Sequence, residues 1–101
     1  MSEKEKAAPK RPKNNKVDAK WFLYILLCRD GTFYTGVTKD LSRRLIMHNK
    51  GKASRYTRTR RPVELLYQET CLNRTQALIR ECEVKALPRK KTERLTNTFN
   101  V

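Results

Sequence analysis

WFLYILLCRDGTFYTGVT, residues 21–38, decides how the chain folds. Trp21 to Arg29 is aromatic and aliphatic up to its last residue, the pattern of a strand buried on both faces. Asp30-Gly31 is a hairpin signal, and Thr32 to Val37 is the return strand. The loop length then fixes which side chains share a face. A two-residue turn pairs residues whose numbers sum to 61, which sets Tyr34 opposite Leu27 and Tyr24 on the other face. A three-residue loop, Arg29-Asp30-Gly31 with the glycine left-handed, pairs residues that sum to 60. Tyr34 then lies opposite Leu26 and Tyr24 opposite Gly36, all on one face. The residues alone leave both loops open, and tyrosine is an ordinary strand residue in either.

Past the hairpin, Thr38 or Asp40 can cap a helix by accepting a hydrogen bond from an N–H of its first turn. That helix ends near Gly51, a natural left-handed C-terminal residue. At about 100° per residue, with Leu41 at the origin, His48 falls near −20°, Arg44 near −60° and Arg43 near 200°. Arg44 and His48 therefore share the flank of the stripe that packs on the sheet, while Arg43 faces solvent. Lys52 to Pro62 is a basic loop. Val63 to Thr70 alternates as a third strand, with Val63, Leu65 and Tyr67 set against Glu64, Leu66 and Gln68. Asn73-Arg-Thr-Gln76 has capping-box spacing and opens a helix to about Leu87. Pro88 suits the first turn of a last helix, which reaches about Leu95. The expected fold is α+β, a three-stranded antiparallel sheet flanked by helices in the order β-β-α-β-α-α.

On the helix after Asn73 the apolar arc centres on Leu78, with Cys82, Ala86 and Ile79 on one side and Ala77 and Val84 on the other. Glu81 lies inside that arc; Arg80 and Glu83 lie outside it. A carboxylate among apolar neighbours is costly unless a cation meets it. Lys85, four residues on, can supply an ordinary salt bridge. A divalent metal is the other partner that carboxylate oxygen favours. The remaining acids are scattered over a turn, a cap, a strand and the last helix, so no two-metal site is spaced here.

The 101 residues carry 24 Lys and Arg against 10 Asp and Glu, a formal charge of +14. Length predicts one domain, and the charge predicts a polyanionic partner. Residues 1–20 hold seven of the cations and three acids and read as a disordered basic tail, a solvated or loosely phosphate-binding arm. Residues 21–97 form the folded domain and 98–101 a short C-terminal tail. No apolar run approaches the ~20 residues that span a bilayer, so no membrane role is expected. Nor is a secretory leader expected, because the charges near Met1 have no apolar stretch behind them. Cys28, Cys71 and Cys82 are odd in number and without C-x-x-C spacing, which predicts small core residues in a reducing compartment. The expected location is the cytoplasm, at the nucleoid in a bacterium or in the nucleus of a eukaryote. Lys50, Lys52, Arg55, Arg58, Arg60 and Arg61 cluster around the basic loop with Tyr56 among them. Cations for phosphate and an aromatic for stacking are what a nucleic-acid backbone groove requires.

Tyr24, Tyr34-Thr35-Gly36, Arg44 and Glu81, in this order and spacing, resemble the GIY-YIG nuclease family. The segment YTGVTKDLSRRLIMHNKGKASRYTRTRRPVELLY, residues 34–67, is similar to its small stand-alone bacterial branch, akin to an excinuclease N-terminal domain. The resemblance runs from about Trp21 to Leu87. It implies hydrolysis of DNA, with RNA as the alternative polyanion, using one Mg²⁺ or Mn²⁺ ion and no haem or organic cofactor. By the same resemblance Glu81 holds the metal, Arg44 binds the scissile phosphate, and Tyr24 and Tyr34 line the path of the attacking water. His48 is a candidate base or leaving-group partner. Gly36 joins the basic cluster among the nucleic-acid-binding positions. The shared site requires the three-residue hairpin loop. Four departures stand out: Phe22-Leu23-Tyr24 replaces Gly-Ile-Tyr, Thr35 replaces a middle Ile, Val37 replaces a Lys, and a terminal Asn has no counterpart. Two functions follow: a metal-dependent endonuclease acting on branched or damaged DNA in repair, or a noncatalytic basic module that keeps the fold. A basic ribosome-associated protein, argued from charge alone, is a third.

Overall fold

β1 (Trp21–Leu27) is the central strand of a three-stranded antiparallel sheet, with β2 (Phe33–Thr38) on one side and β3 (Glu64–Cys71) on the other. This is a computed structural model, and it describes residues 20–99. Apart from Lys20, the basic tail of residues 1–20 lies outside the described residues, as do the last two residues of the chain.

The hairpin uses the three-residue loop. Tyr24 pairs with Gly36, Ile25 with Thr35 and Leu26 with Tyr34, so the paired numbers sum to 60. Cys28 N–H donates to Thr32 O at 2.8 Å and Gly31 N–H to Cys28 O at 2.9 Å, which closes the turn on a left-handed Gly31 at φ 85°. Asp30 Oδ1 accepts from both the amide and the hydroxyl of Thr32, at 3.1 and 2.6 Å. An aspartate folding back on its own turn in this way is the mechanism behind the residue preference.

Because β1 is central, both of its faces are buried. Tyr24, Leu26 and Cys28 pack with Val63 beneath Leu41, Leu45 and Tyr56, while Leu23 and Ile25 pack with Val84 beside Phe33 and Leu95. Leu23, Ile25 and Leu26 are almost wholly removed from water, each contributing about 1.5–3 kcal/mol on burial. β3 departs from simple alternation. Ile25 pairs with Tyr67 but Leu26 pairs with Leu65, leaving Leu66 as the extra residue of a bulge. Val63 and Leu65 therefore face one layer and Tyr67 and Cys71 the other, correcting the uniform alternation expected from sequence.

Helix α1 (Leu41–Asn49) starts at Asp40, whose Oδ1 accepts from Arg43 N–H at 3.1 Å; Thr38 supports the cap by accepting from Asp40 N–H. Gly51, at φ 77°, ends it. The basic loop is not wholly irregular: a single helical turn, α2 (Arg55–Arg58), is capped by Ser54, whose Oγ accepts from the Tyr56 amide at 3.0 Å. α3 (Arg74–Lys85) is capped by Asn73, which accepts from Gln76 N–H at 2.9 Å. α4 (Arg89–Phe99) follows Pro88, whose carbonyl accepts from Lys91 and Thr92, and continues past Leu95. The buried stripe of α3 is rotated from the expected one. Ala77 and Val84 are buried, Glu81 is half-buried between them, and Ile79 and Cys82 are exposed. Of the three cysteines Cys28 is buried, Cys71 half-buried and Cys82 exposed, so the core reading fails for Cys82. Arg80 explains the rotation: it turns inward to a bidentate pair with Glu69 at 2.9 Å on each arm. That contact ties one flank of α3 to β3, while the helix lies mainly over β1 and β2.

Candidate active site

His48 is the only histidine in the chain and is fully buried. It is buried because α1 carries it on the flank that faces the sheet, as its angular position requires. Its Nε2 lies 2.9 Å from the Tyr24 hydroxyl and its Nδ1 lies 2.7 Å from Thr57 Oγ1. Tyr24 is 2 % exposed and Thr57 0 %. Strand, helix and basic loop thus meet in one chain of buried polar groups. Burial, joined by the Arg44 guanidinium, lowers the His48 pKa from 6.5 to about 4; the ring is neutral at physiological pH. Burial raises the Tyr24 pKa well above that of an ordinary phenol, with Tyr34 and Glu81 adding to the rise and Arg44 opposing it.

Tyr34 stands on the same face as Tyr24. Its ring lies 6.4 Å from the Tyr24 ring, 5.1 Å from the His48 ring and 6.0 Å, stacked, from the Tyr56 ring. The guanidinium of Arg60 closes the row at 3.9 Å over Tyr56. Tyr34, Thr35 and Tyr56 line one side of a groove of about 360 Å³ whose other wall includes Val84 and Lys85. Its lining residues Phe33, Tyr34 and Thr35 belong to β2, which stands at one edge of the sheet order β2-β1-β3. Arg44 is exposed and lines a smaller cavity of about 160 Å³ with Arg43 and Lys52. Both arginines are exposed, so the expected contrast between a sheet-facing Arg44 and a solvent-facing Arg43 is not seen in their burial, although the charge of Arg44 acts on both Tyr24 and His48. Glu81 also acts electrostatically on Tyr24. Its Oε2 pairs with Lys85 at 3.0 Å, the salt bridge that the i, i+4 spacing offers.

Gly36 is buried beneath the Tyr24 ring. A Cβ there would lie 2.6 Å from the Tyr24 hydroxyl oxygen and 2.7 Å from Cζ. The missing side chain is therefore explained by packing. A model of the GIY-YIG catalytic domain matches residues 20–94. The chain belongs to the GIY-YIG family. A UPF0213 protein of Staphylococcus epidermidis is 52% identical over 71 residues, covering 70% of this chain and 87% of that protein. Another, of Desulfotalea psychrophila, is 52% identical over 75 residues and covers 71% and 68% of the two chains. Among solved structures, the solution NMR structure of a Bacillus halodurans UPF0213 protein has a TM-score of 0.52 at 40% identity, covering 78% of this chain and 84% of that one.

The GIY-YIG domain is a nuclease domain, and nucleases of this family generally use a divalent metal. Among the described residues no three His, Cys, Asp or Glu side chains form a cluster that could hold an ion. Glu81 fits a different kind of site. It is a hard oxygen donor, half-buried, and one of its oxygens has no partner among the described residues. A single carboxylate suits an ion that keeps most of its water and draws other ligands from a phosphate.

In this GIY-YIG domain the six basic-cluster cations separate into two groups. Arg60 donates to Asp30 at 2.9 Å and to Tyr56 O at 2.8 Å, tying α2 to the hairpin turn. Arg61 donates to Arg58 O and Asn49 O, at 2.9 and 3.4 Å, binding the loop to the end of α1. Lys50, Lys52, Arg55 and Arg58 are exposed and have no side-chain partner among the described residues. Sequence reasoning missed Thr57 and its cap Ser54. Their signal was a helix-capping serine three residues before a threonine, lost in a stretch that charge alone marked as loop.

Proposed function

We propose that this protein is an endonuclease that hydrolyses a DNA phosphodiester bond with one Mg²⁺ or Mn²⁺ ion, acting on branched or damaged DNA in repair. The observation that carries the reading is the buried Tyr24–His48 hydrogen bond, set under the charge of Arg44 and within electrostatic reach of Glu81. A bound ion would be held by Glu81 and would supply a positive charge for the phosphate oxygens.

The chain's own residues account for the rest. Arg44 binds the scissile phosphate and offsets the charge that grows on it. The attacking water gives a proton to Tyr24 Oη as Tyr24 passes its own to His48 Nε2. The water oxygen forms a bond to phosphorus, the bond to the leaving oxygen breaks, and the proton returns to that oxygen or to solvent. His48 can accept because it starts neutral. Tyr34 walls the water's path on the open side, and Lys50, Lys52, Arg55 and Arg58 bind flanking phosphates while Tyr56 offers a stacking surface. The bacterial relatives and three free cysteines support a cytoplasmic location. No helix among the described residues is long and apolar enough to cross a membrane.

A noncatalytic binding module draws its support from the Glu81–Lys85 pair, which satisfies the carboxylate without any ion. One experiment separates the readings. Labelled duplex, single-stranded, flap and branched DNA, with an RNA arm, are incubated with Mg²⁺, Mn²⁺ or EDTA. Metal-dependent cutting that is lost in Arg44→Ala and Glu81→Ala, with binding retained in the latter, is expected. Salt-sensitive binding without cutting leaves the module.

A further inference from the structure

Thr57 belongs to the basic loop, between Tyr56 and Arg58, yet its hydroxyl points into the core and touches His48. Its surroundings define which way the protons lie. Thr57 Oγ1 is 3.4 Å from the backbone carbonyl of Ser54, a group that can only accept. A hydroxyl proton donated there leaves a lone pair toward His48 Nδ1 at 2.7 Å, ready to accept from an Nδ1–H. Nε2 is then unprotonated and accepts from the Tyr24 hydroxyl at 2.9 Å. Every donor in the row has an acceptor. With the protons reversed, Nε2–H would point at Tyr24 Oη, and the Tyr24 hydroxyl proton would be buried with no acceptor among the described residues. An unmet buried donor costs free energy that the first arrangement avoids.

We propose that Thr57 is a positioning residue that holds His48 as its Nδ1–H tautomer, so that the Nε2 lone pair faces the Tyr24 hydroxyl. The inference deepens the nuclease reading and rests on it for its meaning in catalysis; the tautomer itself does not. It makes the loop that grips nucleic acid also the element that keeps the proton acceptor in working order. Ser54 serves both ends, capping α2 through its side chain and orienting Thr57 through its carbonyl.

The test is a long-range ¹H–¹⁵N correlation spectrum of the imidazole ring, in which a single histidine leaves no ambiguity of assignment. The wild type is expected to show a protonated Nδ1 and an unprotonated Nε2. Thr57→Val should move the ring toward the Nε2–H form and lower kcat about tenfold or more, with KM little changed. Thr57→Ser, which restores the hydroxyl, should return both to wild type. A wild-type ring protonated at Nε2 overturns the proposal, and so does an unmoved tautomer in Thr57→Val. If Thr57→Val does not fold, Thr57→Cys, with its weak acceptor, takes its place under the same criteria. Absence of cleavage in all proteins would count against the nuclease reading and leave the tautomer result standing.

Discussion

At the scale of single residues, Gly36 and His48 carry the sharpest consequences. Gly36→Ala forces the Tyr24 ring off its position, because rigid strand backbone on one side and a buried ring on the other leave no room to give. It should destabilise by about 1–3 kcal/mol and reduce cleavage more than binding, checked by urea melts beside a cleavage assay. His48 gives stability a pH dependence. Its folded pKa of about 4 lies below its ordinary 6.5, so the unfolded chain takes up the proton first. The stability is full above about 6.5 and falls as pH drops toward 4, by about 3 kcal/mol over the window. His48→Gln should flatten that limb, leaving only losses at lower pH from Asp30 and Glu69, whose pKa values hydrogen bonds depress. That His48 would face the sheet was legible in the sequence, since helical angles follow from spacing alone, whereas the exposure of Arg44 one turn earlier was not. The contact with Thr57 was not, since a hydroxyl in a charged loop has no periodicity to reveal where it points.

Among the elements, the hairpin was readable down to its register once the two tyrosines had to share a face, and the observed pairs agree. β3 and α3 were located but misoriented. A bulge at Leu66 and the inward pull of Glu69 on Arg80 are both tertiary effects that local alternation and helical angles do not encode. The one-turn α2 shows how charge can hide structure. Its anchor, Arg60, joins Asp30, the Tyr56 carbonyl and the Tyr56 ring. Arg60→Ala should cost about 1–2 kcal/mol, since the exposed ion pair adds little and the ring contact a similar amount. Arg55→Ala and Arg58→Ala should leave stability within about 0.5 kcal/mol and weaken DNA binding instead. Thermal melts paired with fluorescence anisotropy check the contrast.

Over the whole molecule, the charge of +14 predicts a polyanionic partner, but the fold decides how many cations are available to it. Six phosphate contacts from the basic cluster would give a log–log salt slope of roughly −5 on duplex DNA. With Arg60 and Arg61 committed to the loop's own backbone and turn, the four remaining cations together with Arg44 give about −4.5, and Lys52→Ala should make it shallower by about 1. Titrations at several salt concentrations measure both. The four residues of α2 have one further consequence, in temperature. They are held by a serine cap, by Arg60, by the Tyr34–Tyr56 stack and by the buried contact of Thr57 with His48, whereas β1 is buried on both faces. A single helical turn with one fully buried residue opens at lower free energy than the central strand it borders. Cleavage should therefore fade on warming while the sheet is still intact: heat would silence this protein before it melts it, and cooling would restore it without refolding.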